Sequence, residues 1–95
     1  MPAVTRLGDL DSGEGCFPPR PSIQASPNVF VNQIPVHCQG HQRAVHCCGP
    51  YCHAAPLAKG SLSVFANGVG VGRVGDPVAC GAQITVGSTD VFAGG

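Results

Sequence analysis

The chain has 95 residues, enough for one domain with a thin core. Gly (14) and Pro (9) are abundant, Trp is absent, and 11% of the residues are charged, with a formal net charge of zero at pH 7. This balance excludes the basic surface of a nucleic-acid binder, and a hydrophobic fraction of 43% is not that of a disordered chain. No apolar run approaches the roughly 20 residues of a membrane-spanning helix. We therefore expect a folded, turn-rich, all-β domain that needs additional cross-links.

The N-terminal segment leads directly into the sequence Arg6–Leu7–Gly8–Asp9. It shows no basic stretch followed by an apolar one, so we expect no signal peptide and synthesis in the cytosol, where thiols and metal ligation are favoured over disulfides. Further along, Phe17–Pro18–Pro19–Arg20–Pro21 predicts an extended connector, because proline lacks the amide donor that a strand ladder needs. A polyproline ligand for a partner domain is the alternative for this segment.

A short element, Ser-x-x-Val-Phe, occurs three times and ends at Phe30, Phe65 and Phe92. After the second copy, Asn67–Gly68 is the preferred pair for a type I′ hairpin turn, because both central residues of that turn take positive φ. Asn32–Gln33 has the same place after the first copy. We predict that each copy begins a short β-hairpin. We predict no sizeable helix, since no apolar pattern of period 3.6 persists over three turns.

A second element precedes each of these copies. It is Arg-x-Gly-Asp at residues 6–9 and 73–76, but Cys38–Gln39–Gly40–His41 in the middle copy, which removes one ion pair. From the two elements we predict one domain, 1–95, built of three units at roughly 1–34, 35–69 and 70–95. The predicted linker at 44–53 carries five potential soft ligands: His46, Cys47, Cys48, Cys52 and His53.

Four metal-capable side chains fall at two repeated distances from these elements. Glu14 and His46 each lie six residues beyond the Gly of the second element, and His53 and Cys80 each lie twelve residues before a repeated Phe. Equivalent positions in a three-unit fold approach a common axis, and tetrahedral zinc accepts nitrogen, sulfur and carboxylate ligands. The sequence therefore predicts a zinc site formed by these four residues, with iron as the alternative metal.

Other interpretations of the same residues stay open at this point. Cys16 is a softer ligand than Glu14 and competes with it for the fourth position. His46 and His53 are also compatible with ordinary turn or surface positions. Cys80 is compatible with a small buried hydrophobe, since free Cys is among the most buried residue types.

Four of the remaining cysteines fall at neither of these two ligand distances: Cys38, Cys47, Cys48 and Cys52. Cys38 is predicted to pack in the core, and His37 and His41 are interpreted as a strand residue and a turn residue. Packing and disulfide formation both stay open for three cysteines, with no basis for a connectivity: Cys47, Cys48 and Cys52.

The order of these motifs along nearly the whole chain resembles that of a PAAR-repeat protein. The resemblance is carried by the two repeated elements and by three further stretches: Met1–Pro2–Ala3, Gly15–Pro21 and Cys80–Gly81. It implies a small cone of three β-hairpins with pseudo-threefold symmetry and a metal near the point, bound by three His and one Cys. The family's ligands fall on His46, His53 and Cys80, and Glu14 stands where the remaining His is expected. A further departure is Pro35–Val36–His37–Cys38 in place of Pro-Ala-Ala-Arg.

The resemblance also implies a structural function. Such proteins cap the blunt end of a trimeric β-helical spike in a type VI secretion system or a contractile phage tail, and the sequence does not decide between the two. It implies one copy per spike trimer, docking near Phe30, Phe65 and Phe92, effector cargo, transient contact with the target membrane, delivery to the target cell envelope, and no nucleic acid. Because the chain ends shortly after Phe92, we expect no attached effector domain.

Two other functions are weighed against this one. A zinc hydrolase or thiol enzyme built on His46, Cys48 and His53 is disfavoured, because four protein ligands close the shell whereas catalytic zinc keeps a position for water. A small secreted disulfide-rich inhibitor or toxin would require that all six Cys residues be oxidised.

Overall fold

The computed structural model describes all of residues 1–95, as a molecule with extents of 38 × 24 × 21 Å. It contains six short strands and no helix: β1 (Phe30–Val31), β2 (Ile34–Pro35), β3 (His46–Cys48), β4 (Tyr51–His53), β5 (Phe65–Ala66) and β6 (Val69–Gly70). They pair as three separate antiparallel hairpins, β1–β2, β3–β4 and β5–β6. The predicted all-β class without a sizeable helix is confirmed. Of 43 backbone hydrogen bonds, 35 lie outside these strands, so turns and single bridges hold most of the chain.

Two hairpins have the turns that were predicted from the Val-Phe element. In β5–β6, Asn67 and Gly68 have φ values of 54° and 82°, as a type I′ turn requires. In β1–β2, Asn32 and Gln33 have φ values of 54° and 67°. Gln33 is the strained member of this set, because the Cβ of an ordinary residue disfavours the left-handed region.

The third hairpin lies where the sequence predicted a linker, so that prediction is wrong. Strands β3 and β4 pair through three residues each, and their register places His46 opposite His53 and Cys47 opposite Cys52. Gly49, with φ 60°, and Pro50 supply the turn between the strands. The run of Cys and His residues hid this hairpin, because it shows no alternation of apolar and polar residues.

The third Val-Phe copy does not form a hairpin of its own, which corrects the prediction for that unit. Phe92 forms a bridge with Ala3, at the other end of the chain. In the first two copies the equivalent pairs lie within one hairpin: Phe30 with Pro35, and Phe65 with Gly70. The N-terminal residues thus supply the return strand of the third copy.

A closed ring of three backbone hydrogen bonds lies in the interior. The amide of Thr5 donates to the carbonyl of Gly72 (2.9 Å), that of His37 to Thr5 (3.2 Å), and that of Gly72 to His37 (2.8 Å). Each of these residues follows a buried valine: Val4, Val36 and Val71. A Cβ at Gly72 would lie 2.6 Å from Leu57 Cδ2 and 2.9 Å from the His37 carbonyl oxygen, so only glycine fits there.

The apolar core consists of two clusters. The first contains the three valines that precede the ring residues, together with Cys38, Ala66 and Ala93. The second contains Ala55, Leu57, Val78, Ala82 and Ile84, with Cys80 packed against it. The predicted core position of Cys38 is confirmed, since its side chain is fully buried and burial raises the pKa of its thiol to about 11.

His41 takes over the role of an aspartate in the middle copy of the second element. In the other two copies, Asp9 and Asp76 each accept a hydrogen bond at 2.9 Å from the backbone amide three residues earlier. His41 Nδ1 accepts the equivalent bond from the Cys38 amide at the same distance of 2.9 Å. An accepting Nδ1 requires the neutral ring, and burial lowers the pKa of His41. The middle turn therefore keeps its cap and loses only the ion pair.

Acidification is expected to destabilise the protein through His37. Its ring is fully buried, Nδ1 lies 2.7 Å from the Gln24 carbonyl oxygen, and burial lowers its pKa to about 4. Because the unfolded-state pKa is about 6.5, the stabilisation is complete above that pH and is lost as the pH falls toward 4, by on the order of 3 kcal/mol. We expect His37→Gln to flatten this fall in urea unfolding of the chelator-treated chain.

His41→Asp is the matched control for this experiment. It restores the carboxylate of the other two turns and leaves His37 in place, so the larger part of the acid-dependent loss should persist. A His37→Gln chain whose free energy of unfolding falls as steeply as that of the parent would contradict the assignment.

Candidate metal centre

The four side chains predicted as ligands lie together in the structure. The ligand atoms of Glu14, His46, His53 and Cys80 are all within 4.8 Å of one another. Glu14 comes from the turn that ends at Phe17, the two His residues from β3 and β4, and Cys80 from the turn closed by the bond between the Gly81 amide and the Val78 carbonyl. Positions at repeated sequence distances thus converge on one site.

The β3–β4 hairpin aims two imidazoles at the same point. His46 and His53 are direct cross-strand partners, so their side chains leave the hairpin on one face. Their Nε2 atoms are 2.7 Å apart, and each lies 3.0 Å from Glu14 Oε1. The ring of Phe17 packs against both imidazoles, at centroid distances of 4.9 and 4.2 Å. The apolar ring shields one side of the site from water.

Hydrogen bonding fixes the tautomer of His46. Its Nδ1 lies 2.8 Å from the Pro18 carbonyl oxygen, which can only accept, so Nδ1 carries the proton and Nε2 presents a lone pair. That lone pair faces the Glu14 carboxylate and the second imidazole. Nitrogen ligands around tetrahedral zinc lie about 3.3 Å apart, given metal–nitrogen bonds of about 2.0 Å. A convergence of lone pairs at nearly this spacing fits a bound cation.

Glu14 and Cys80 influence each other's pKa. Hydrogen bonding from the Cys80 thiol, and then from His53, holds the pKa of Glu14 below its usual range. Burial raises the pKa of the Cys80 thiol, and the Glu14 carboxylate acts in the same direction. Ligation requires the thiolate form of Cys80, so metal binding would release its proton.

Cys16, the alternative fourth ligand, does not join this group. It forms a disulfide with Cys48, which ties the Glu14 turn to β3. A second disulfide, Cys47–Cys52, links the facing strands β3 and β4. The sequence left packing and disulfide formation open for Cys47, Cys48 and Cys52, and in the structure all three form disulfides. Each disulfide joins residues that lie one or two positions from a candidate ligand, so the two bonds brace the site.

The two disulfides leave two of the six cysteines as free thiols, so the number of reactive thiols can be predicted. Cys38 and Cys80 are the free cysteines, and Cys38 is buried. We expect iodoacetamide to modify only Cys80 in the folded, chelator-treated chain, and both cysteines after unfolding without reductant. Full reduction should expose all six. Mass spectrometry reads each count directly, and four or more free thiols in the unfolded, unreduced chain would contradict this disulfide pattern.

Sequence reasoning missed the charged side chains behind the site. Asp11, Arg20 and Arg43 are fully buried and contact one another. The one available signal was an Arg inside a proline-rich connector of a chain with few charges. Because the segment was interpreted as a loop, nothing indicated that the side chain of Arg20 turns inward.

The three repeated Phe residues lie at the surface. Phe30, Phe65 and Phe92 are 55%, 58% and 50% exposed. The Ser that opens each Val-Phe copy bonds to the residue two positions after the Phe of another copy, and these bonds run in cyclic order: Ser26 to Asn67, Ser61 to the Gly94 carbonyl, and Ser88 to Asn32. The three copies therefore contact one another through equivalent hydrogen bonds.

This combination of short hairpins, repeated turns and a His-rich ligand group agrees with a match to a known family. The sequence profile of the PAAR motif matches residues 17–86, and the chain belongs to the PAAR-motif family. Similar curated proteins are the NAD(P)(+) glycohydrolase toxin Tse6 and the (p)ppApp synthetase toxin Tas1, from two strains of Pseudomonas aeruginosa. Each is 34% identical to the chain over 79 residues, which is 77% of this chain and 18% of the toxin. The chain thus spans less than a fifth of these relatives. The structure contains no helix long and apolar enough to cross a membrane.

Proposed function

We propose that the chain forms the tip of a contractile injection machine and docks on a trimeric β-helical spike. The observation that carries the docking role is the exposure of Phe30, Phe65 and Phe92 at equivalent positions of the three copies. A single exposed aromatic side chain is ordinary, but several exposed apolar side chains that form one surface are typical of a surface that a partner covers. Three equivalent aromatic positions suit a partner with threefold symmetry.

The cyclic contacts support an arrangement of three units around one axis. The ring of Thr5, His37 and Gly72 and the Ser bonds between copies each connect the three units in sequence. In this arrangement one chain presents three similar surfaces and therefore caps one trimer. The unit limits would differ from those predicted from the sequence, since Ala3 and Val4 pair with Phe92 and Arg73 and so belong with the unit that contains Phe92.

The machine that we propose is a type VI secretion system. Members of the family occur as spike tips both there and in contractile phage tails. The two relatives are named as toxins, which favours a secretion machine over a virion tail. We do not propose for this chain the enzymatic activities that the names of these relatives state; we propose that it is a structural tip. It would be assembled at the spike in the producing cell, carry effector cargo, and meet the target membrane transiently on delivery to the target cell envelope.

We further propose that Glu14, His46, His53 and Cys80 hold one zinc ion, with iron as the alternative. The ion would cross-link three distant segments and so rigidify this end of the molecule. Four side chains complete a tetrahedral shell, which does not suit a zinc hydrolase. The free Cys38 and Cys80 do not suit a fully disulfide-bonded secreted toxin.

Co-expression with the cognate spike protein tests the docking role. We expect native mass spectrometry to show one copy of the chain per three spike chains. Replacing the three Phe residues by Ser should reduce co-purification at least about tenfold, because buried aromatic side chains dominate interface energies.

Tyr51→Ser is the control, since Tyr51 is an aromatic residue of the β3–β4 hairpin that is 73% exposed. This variant should bind the spike as the parent does. Three copies per trimer, or full binding by the triple Phe variant, would refute the docking proposal.

A further inference from the structure

A buried charged cluster lies directly behind Cys80. Asp11 Oδ2 accepts hydrogen bonds from Arg20 Nε at 3.1 Å and from Arg43 Nε at 3.0 Å. The Asp11 and Arg43 side chains are 0% exposed and that of Arg20 is 2% exposed. Burial raises the pKa of Asp11, but hydrogen bonds from the Gly13 amide and from both arginines outweigh it, so the net pKa is lowered. One carboxylate and two guanidinium groups leave this cluster with one uncompensated positive charge.

Only one of the two arginines reaches the ligand group. Arg20 Nη2 donates to Cys80 Sγ at 2.9 Å, while its Nη1 donates to the Ala44 carbonyl at 3.2 Å. Together with the bond from Nε to Asp11, these contacts fix the guanidinium on every edge. The position of Nη2 is therefore set by the fold and not by the ligand.

Arg43 also bonds to the Asp11 carboxylate, but its other hydrogen bonds go to backbone carbonyls. Its Nη2 donates to the carbonyls of Asp9 and Arg20, at 2.8 and 3.0 Å, and its Nη1 has no partner. It holds the backbone of Arg20 in place but makes no contact with Glu14, His46, His53 or Cys80. The two arginines thus form a natural pair: both are buried and bond to Asp11, and of the two only Arg20 contacts the sulfur.

We propose that Arg20 is a positioning residue for Cys80, which orients the thiolate sulfur toward the metal, and that Asp11 and Arg43 hold Arg20 for this purpose. A hydrogen bond from a buried guanidinium to a ligating sulfur restricts the direction of its lone pairs, and loss of such an outer partner typically weakens metal binding about 10- to 100-fold. The uncompensated positive charge of the cluster lies against the one thiolate of the site. This inference rests on the proposed metal centre.

Cobalt binding by the full chain tests the proposal. We compare the parent with Arg20→Lys and Arg43→Lys, because lysine keeps the positive charge but cannot contact Asp11 and Cys80 together. Both variants should lose stability to urea. We expect Arg20→Lys to shift the sulfur-to-cobalt charge-transfer band and to weaken Co²⁺ affinity about 10- to 100-fold. Arg43→Lys should have a much smaller effect on both, because the Arg20 guanidinium keeps its bonds to Asp11, Ala44 and Cys80.

The outcomes separate this inference from the metal centre itself. Equal Co²⁺ affinities and unshifted bands in the two variants would show that Arg20 is merely structural and would overturn the inference alone. A parent chain that binds no Co²⁺ would overturn both.

If Arg20→Lys does not fold, the parent chain gives the answer by NMR. On loading with ¹¹³Cd²⁺, the Arg20 side-chain N–H resonances should shift and those of Arg43 should not. Identical behaviour of the two arginines would overturn the proposal.

Discussion

Asp11→Asn is expected to lower the free energy of unfolding by about 3–5 kcal/mol, a large part of the stability of a small domain. The substitution keeps the shape of the side chain and removes its charge. Two buried guanidinium groups, Arg20 and Arg43, then lose their shared carboxylate. Breaking a buried ion pair on one side is more costly than deleting both partners, because the remaining charge stays desolvated. Urea unfolding of chelator-treated protein measures the loss without a contribution from bound metal.

Asp90→Asn is the matched control, since Asp90 is an exposed carboxylate that accepts hydrogen bonds from Asn32 and Ser88. The carboxamide oxygen can keep accepting these bonds, so this variant should unfold close to the parent. A loss for Asp11→Asn of less than about 1 kcal/mol, the scale of one ordinary hydrogen bond, would show that the two arginines find other partners or water.

Cys80→Ser and His53→Ala are each expected to abolish tight metal binding. Each removes one of four converging ligand atoms. At free metal about 1,000-fold above the dissociation constant, the parent gains about 4 kcal/mol of apparent stability that these variants cannot gain. Elemental analysis of protein purified without added metal, together with thermal unfolding with and without chelator, measures both effects. The two disulfides should keep the metal-free chain folded at low temperature.

Cys38→Ala is the control for loss of a thiol, because Cys38 is a free cysteine in the core. It should lower stability and leave one metal per chain. Glu14→Gln and Cys16→Ser then decide the fourth ligand. Metal loss in Glu14→Gln alone supports the geometry described above. Metal loss in Cys16→Ser but not in Cys48→Ser, which breaks the same disulfide, would assign the fourth position to Cys16 and refute a shell that includes Glu14.

The convergence of the four metal-capable side chains could be predicted from sequence, because the repeated elements mark equivalent positions in different units. Counting from Gly8 and Gly40, or back from Phe65 and Phe92, selects the four side chains that the structure brings together. The Asn67–Gly68 turn was predictable for a local reason, the positive φ at both positions. Both predictions needed only local chemistry or the repeat.

The missed features depend on contacts between distant segments. Arg20 is turned inward by Asp11, which precedes it in the same unit, and by Cys80, which belongs to another. The disulfide from Cys16 to Cys48 likewise joins two units, and no sequence spacing defines its connectivity. From the sequence, His41 in place of an aspartate predicted only the loss of an ion pair. The structure shows in addition that its ring nitrogen accepts the hydrogen bond that the carboxylate oxygen accepts in the other two copies.

The pairing of Ala3 with Phe92 has a consequence for synthesis. Ala3 finds its partner only after Phe92 has been synthesised, and Thr5 Oγ1 likewise donates to the Val86 carbonyl, 81 residues away. Such long closures carry a large entropic cost before any contact compensates it, so they slow folding. We expect the nascent chain to form its local hairpins first and to complete its interior only after Phe92 has left the exit tunnel. During that interval we expect the cysteines at 16, 47, 48 and 52 to stay open to thiol chemistry.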